Sequence, residues 1–174
     1  RPDFVALSFY KMFGYPTGVG ALIARRDALA ALVRPWFAGG TVEFVSTQHR
    51  MHMLKTGAEA FEDGTPNFAS IAAVPAGLEL LGEIGLANVK RRVGQLTVHL
   101  LAELASLRHP DGHAMTRVYG PKNNHARGGT VAFNVLDRFG RAVPYQQVER
   151  VALERGVSIR GGCFCNPGAA ERAF

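Results

Sequence analysis

Asp3-Phe-Val-Ala-Leu-Ser-Phe-Tyr-Lys-Met-Phe-Gly-Tyr-Pro-Thr-Gly-Val-Gly-Ala-Leu-Ile-Ala24 holds two short apolar runs, Asp3 to Tyr10 and Val19 to Ala24, separated by a turn rich in glycine and proline. Runs of this length with punctuation between them read as two buried strands joined by a loop. Outward from there, Arg26 to Arg34 has helical spacing, with Leu29, Leu32 and Val33 on one side, and ends at Pro35. Trp36 to Thr65 has no clear period and reads as loop-rich, and loops of that length are commonly functional. Residues 67–82 read as helix despite Pro75. Leu86 to Leu107 reads as a longer amphipathic helix with Val89, Val93, Leu96, Leu100 and Leu104 inward.

The period then changes. Met115 to Tyr119, Thr130 to Val135 and Val157 to Arg160 read as strands, and Tyr145 to Arg155 as a helix stopped by Gly156. Strands after long helices indicate an α/β chain with a second, smaller layer. The expected division is residues 1–75 and 76–174, with the boundary inside Pro66 to Gly85. Arg1 opens directly onto a strand, and Asn166-Pro167-Gly168 opens a helix just before Phe174, so the chain reads as a piece of something longer.

Of the 174 residues, 47% are hydrophobic, enough for a sizeable core. Lys and Arg number 20 against 14 Asp and Glu, and the arginines are scattered rather than clustered. That pattern suits an anionic small ligand better than a nucleic-acid groove. No apolar stretch reaches the roughly 18 to 20 residues of a membrane span. Cys163 and Cys165 stand too close in sequence for an unstrained disulfide, which points to a reduced, cytoplasmic setting.

Several residues could carry chemistry. Lys11 lies where a strand gives way to a turn, among Phe9, Tyr10, Met12 and Phe13. An amine kept from water by such neighbours is nucleophilic enough to form a Schiff base; the alternative is a stem on apolar surface with its head in water. Ser8 would set a hydroxyl near anything attached to Lys11. Gly39-Gly40-Thr41 offers amides and a hydroxyl of the kind that cradle a phosphate, or is an ordinary turn. Cys165 and Cys163 stand after a short strand, ahead of a helix capped by Asn166, with Arg160 nearby. A thiol so placed is reactive, though a buried inert pair fits too. A zinc site would need His49 and His52 as further ligands, and these read better as solvated loop residues; no metal is expected. Asp63 or Thr65 reads as a cap for the following helix.

Ser8-Phe-Tyr-Lys-Met-Phe-Gly-Tyr-Pro-Thr-Gly-Val-Gly-Ala-Leu22, Phe61-Glu-Asp-Gly-Thr65 and Arg160-Gly-Gly-Cys-Phe-Cys-Asn-Pro-Gly-Ala169 together resemble the aminotransferase-like domain of molybdenum-cofactor sulfurases, class V pyridoxal-phosphate enzymes akin to cysteine desulfurases. The resemblance implies fold type I, with the end of the large domain and most of the small one present. It implies Lys11 as the Schiff-base lysine of pyridoxal 5'-phosphate, Ser8 as a phosphate contact, and Gly40 with Thr41 as a phosphate contact reaching from the partner of a homodimer. Cys165 would carry a persulfide drawn from L-cysteine or a related amino acid, and Arg160 would orient substrate or persulfide. A sulfur acceptor, such as the molybdenum cofactor or the enzyme that carries it, follows as a partner, with no nucleic acid and no membrane.

Tyr10 stands where ordinary cysteine desulfurases carry histidine, which favours the sulfurase branch. Ala170 stands where many sulfurases carry a further cysteine. The aspartate and stacking aromatic that the family sets against the cofactor ring fall outside these residues. Two other readings stay open: another class V lyase or aminotransferase, and a catalytically silent dimerisation or sulfur-carrier module.

Overall fold

In the computed structural model, which describes residues 1–173, β1 (Phe4–Ser8) and β2 (Gly20–Ala24) form an antiparallel ladder running from Phe4↔Ala24 to Ser8↔Gly20. The two apolar runs are strands, as expected. Gly20 is required at the last rung, because a Cβ there would stand 2.5 Å from the Leu7 carbonyl oxygen. Between the strands the chain makes one helical turn, α1 (Tyr10–Phe13), closed by Gly14 in the left-handed region. A residue without Cβ adopts that conformation freely.

α2 (Arg26–Ala30) stops short of Arg34, where the spacing had placed its end. Pro35 disfavours helical backbone at the residue before it, and Val33 is left 90% exposed. The stretch expected to be loop-rich contains a hairpin of β3 (Val42–Ser46) and β4 (Met51–Leu54), with a bulge between Val42 and Phe44, and then a 3₁₀ turn, Gly57–Phe61. Its period was masked because Phe44, Met51 and Met53 are exposed apolar residues, so no polar face marks the alternation. The helix expected over 67–82 is two helices, α3 (Phe68–Ile71) and α4 (Val74–Ile84). Pro75 has no N–H to continue α3 but fits the first turn of α4, where none is needed.

These elements form a first compact unit, Arg1–Gly85, with Pro16, Val19, Thr41, Ala60 and Val74 buried. α4 belongs to it because Gly77 lies directly on the Phe13 ring: a Cβ at Gly77 would come 2.2 Å from Phe13 Cδ2. The unit therefore runs to Gly85, past residue 75.

The second unit, from Leu86 onward, is built on α5 (Leu86–Ser106), the antiparallel pair β5 (Thr116–Tyr119) and β6 (Ala132–Val135), α6 (Tyr145–Glu154) and α7 (Pro167–Ala173). Its buried residues are Thr97, Leu101, Leu104 and Leu136. The inner face of α5 is thus rotated from the expected one. Leu96 and Leu100 are exposed, while Thr97 takes an inward place because its hydroxyl donates to the Val93 carbonyl at 2.8 Å, leaving no orphan polar group. Thr116 Oγ1 donates to the Leu104 carbonyl at 2.6 Å and ties β5 to the helix. Val157 to Arg160 is not a strand, since no ladder pairs it with another segment.

Substitutions in α4 separate propensity from packing. Gly82→Ala, with open space around it, should stabilise by up to about 1 kcal/mol, whereas Gly77→Ala should destabilise by about 1–3 kcal/mol through the Phe13 clash. Urea unfolding midpoints of the two variants should move in opposite directions.

A pH dependence follows from the turn after β6. Asp137 Oδ1 accepts the Arg141 and Phe139 amides at 2.9 Å each. The Arg141 amide above all, with its guanidinium, holds the Asp137 carboxyl below its ordinary 3.8. A depressed carboxyl stabilises above its unfolded pKa and loses that contribution as pH falls through the folded one. Asp137→Asn should therefore flatten the acid limb of stability below about pH 4, read as urea midpoints from neutral to acid pH.

Candidate active site

Lys11 is set by the last rung of the first ladder. Ser8 pairs with Gly20, Phe9 donates its amide to the Val19 carbonyl at 3.3 Å, and the chain then turns into α1 with Lys11 on its first turn. The Lys11 side chain is exposed, its Nζ lying 5.2 Å from the centre of the Tyr10 ring. Its apolar sequence neighbours therefore do not enclose it. Phe13 turns toward Phe9, with ring centres 6.0 Å apart, and toward α4. What this unit supplies is an exposed amine presented at a strand end beside the half-buried Ser8.

Thr41, expected as a phosphate contact, is fully buried. Its hydroxyl donates to the Ala38 carbonyl at 2.8 Å and accepts the Ala38 amide at 3.0 Å, so it is committed to its own turn. The Thr41 amide also returns to Ala38, at 3.2 Å. Gly39 and Gly40 differ: both are exposed, Gly40 has φ +85, and their amides make no hydrogen bond among the described residues. A turn that presents two free N–H groups, one from a glycine in the left-handed region, has the donor set a phosphate needs. The turn is held from behind by the Lys55 amide on the Thr41 carbonyl and by the Gly64 amide on the Gly39 carbonyl, at 2.9 and 2.8 Å.

Arg34 was not singled out from the sequence. Its side chain is 8% exposed and reaches the 3₁₀ turn, with Nη1 donating to the Ala60 carbonyl at 2.5 Å and Nη2 2.7 Å from Asp63 Oδ1. Asp63 is thus an ion-pair partner rather than a cap, and Asn67 caps α3 by accepting the Ser70 amide at 3.2 Å. The available signal was a basic residue two before a tryptophan and an acid in Phe61-Glu-Asp-Gly64. Nothing in a sequence period links them. His49 is exposed in the hairpin turn as expected, but His52 lies on β4 with its ring 4.9 Å from that of Phe37. Among the described residues no group of His, Cys, Asp and Glu gathers to hold a metal, and no single helix is long and apolar enough to cross a membrane.

In the second unit, Cys163 and Cys165 are free thiols, both exposed, which removes the buried-pair alternative. Phe164 and Cys165 are consecutive non-glycine residues in the left-handed region, at φ +50 and +60, and the Asn166 amide closes the turn on the Cys163 carbonyl at 2.8 Å. Each such residue costs roughly 1–2 kcal/mol, so the turn holds Cys165 outward against its own preference. α7 begins at Pro167, immediately after Asn166, as the capping pattern implied. Arg160 lies with its guanidinium carbon 5.7 Å from the Phe164 ring centre, and the Gly161 amide donates to Glu149 Oε1 at 2.5 Å. A groove of about 870 Å³ along α5, lined by Lys90, Arg91, Val98, His99 and Asn124 among others, contains none of these residues.

Comparison with known proteins decides the family. The family model for aminotransferase class V matches residues 2–173. The chain belongs to the class V aminotransferase family. Among curated relatives, the molybdenum cofactor sulfurase of Arabidopsis thaliana is 40% identical over 98% of this chain and 21% of its own length. Molybdenum cofactor sulfurase 3 of Aedes aegypti is 40% identical over 99% of this chain and 24% of its own length. The chain thus spans about a fifth to a quarter of those relatives. Among solved structures, the cysteine desulfurase of Thermococcus onnurineus NA1 superimposes with TM-score 0.69 at 29% identity, over 94% of this chain and 37% of that one. The cysteine desulfurase CsdA of Escherichia coli gives 0.70 at 23% identity, over 92% and 36%. The fold is therefore that of fold-type-I enzymes, as the sequence implied.

Exposure of both sulfurs has a direct readout. A thiol reagent applied to the native chain should titrate two groups, and Cys165→Ser should leave one; a count of zero before denaturation would contradict the geometry.

Proposed function

We propose that this chain supplies part of the catalytic apparatus of a pyridoxal-phosphate enzyme that moves sulfur from L-cysteine to an acceptor through a persulfide on Cys165. Two observations carry the reading: an exposed amine at a strand end in the first unit, Lys11, and an exposed thiol held outward in a strained turn in the second, Cys165, each inside a stretch that resembles a motif of the family. Sulfurases and desulfurases among the relatives support the substrate and the route.

The donors present fit the cofactor. Lys11 would hold it covalently, Ser8 would offer a hydroxyl beside that link, and the Gly39 and Gly40 amides would meet a phosphate, with Thr41 shaping the turn from inside. When bound, pyridoxal phosphate supplies an electron sink for bond cleavage at the substrate. Lys11, once free, takes and returns a proton at the substrate α-carbon. Arg160 orients the substrate carboxylate. Cys165, as thiolate, bonds to the substrate sulfur while that sulfur parts from its β-carbon, which gains a proton, leaving alanine and a persulfide.

The exposed apolar residues of the hairpin, Phe44, Met51 and Met53, lie on β3 and β4 directly after the Gly39-Gly40 turn. A homodimer that covers this face would bring the turn to the neighbouring subunit's cofactor, and burying it supplies the driving force. The exposed thiols suit a reducing, cytoplasmic setting. The acceptor would be the molybdenum cofactor or the enzyme that carries it.

Lys11→Ala in the complete protein should abolish alanine formation from cysteine, by at least roughly a hundredfold, and remove the cofactor's visible absorbance. Cys165→Ser should keep that absorbance and lose the persulfide, detected by mass spectrometry. Unchanged turnover in Cys165→Ser would instead favour another class V lyase or aminotransferase, and a complete protein unable to take up the cofactor would mark a silent module.

A further inference from the structure

We infer that Arg34, with Asp63, is a positioning residue that sets the Gly39-Gly40 amides for an anionic ligand, the phosphate of the cofactor. The inference rests on the proposal that this turn meets that phosphate.

Arg34 is a costly residue to have where it is. Its side chain is 8% exposed, and a buried guanidinium demands partners. Two are present: the Ala60 carbonyl at 2.5 Å from Nη1, and Asp63 Oδ1 at 2.7 Å from Nη2, an ion pair not aligned as a hydrogen bond. Nε has no hydrogen-bond partner. The guanidinium carbon lies 5.2 Å from the Trp36 ring centre and 5.8 Å from that of Phe61, within reach of cation–π attraction from both. An apolar residue of the same volume would fill this space without stranding Nε, so packing alone gives no reason for a charge.

A reason appears in what the guanidinium joins. Trp36 leads into the Gly39-Gly40 turn, while Ala60, Phe61 and Asp63 form the segment on which that turn rests. The Gly64 amide donates to the Gly39 carbonyl at 2.8 Å, and a Cβ at Gly40 would stand 3.7 and 3.8 Å from the Gly64 and Glu62 carbonyls. Arg34 pulls the second segment against the first at three points, so the direction of the glycine amides depends on it. Being planar and forked, the guanidinium fixes both an approach and an angle, which a lysine ammonium cannot.

The test uses the complete protein, stripped of cofactor and titrated with pyridoxal phosphate or with pyridoxal, which lacks the phosphate, following visible absorbance. Arg34→Met should weaken pyridoxal phosphate roughly tenfold and leave pyridoxal unchanged. Asp63→Asn, at an exposed position where folding is not at stake, should shift the same ratio in the same direction by a smaller factor. Should Arg34→Met fail to fold by circular dichroism, Asp63→Asn decides. Equal weakening of both probes by either variant, or an unaltered ratio in both, overturns the inference. Gly40→Ala, strained at φ +85, tests the turn itself. If it lowers the ratio while the Arg34 and Asp63 variants do not, only the positioning role is lost; if it leaves the ratio alone, the phosphate reading of the turn is lost with it.

Discussion

The antiparallel ladder of β1 and β2 governs where reactive groups can stand in the first unit. Its closing rung, Ser8↔Gly20, exists only because Gly20 has no side chain to strike the Leu7 carbonyl. That rung fixes Ser8, and with it the direction in which Phe9 and α1 leave the sheet. Lys11 therefore keeps a defined base and a free tip. In the proposed role, an amine that first holds a cofactor and later moves a proton would need both, a fixed Cα and a side chain with room to swing.

The two units meet the demands of reactivity by different physical means. In the first, polar groups are neutralised locally: the Thr41 hydroxyl closes on Ala38, and Arg34 is surrounded by a carboxylate, a carbonyl and two rings. The Gly39 and Gly40 amides beside them stay exposed and without a hydrogen bond among the described residues. In the second, the cost is taken up by the backbone, through consecutive left-handed residues at Phe164 and Cys165. The thiol is kept outward by the turn rather than by any contact of its own side chain.

The sequence made the paired strands, α5, α6 and the start of α7 readable, because each rests on a local signal: an apolar run, a helical period, or an Asn-Pro boundary. It also brought Ser8, Lys11, Arg160 and Cys165 into view, through motifs whose spacing is local. Three things were not readable. The β3–β4 hairpin has apolar residues on an exposed face, which erases alternation. The inward face of α5 is chosen by a threonine that satisfies its own hydroxyl, against the ranking of side chains by apolarity. Arg34 and Asp63 are distant in sequence, and only the folded chain shows that the acid expected to cap a helix is held by a buried base. Lys11 shows the converse, since its apolar neighbours in sequence are not its neighbours in space.

The contact of Gly77 with the Phe13 ring pins two points far apart in the chain, and everything between them becomes a closed span with anchored ends. Lengthening such a span costs entropy that grows only with the logarithm of its size. Insertions between the strands and α4 should thus be absorbed, while a single residue added within α4 ahead of Gly77 would rotate a side-chain-bearing neighbour onto that ring. Length variation among homologous chains is accordingly expected to collect in the hairpin and its flanks and to spare the first turn of α4.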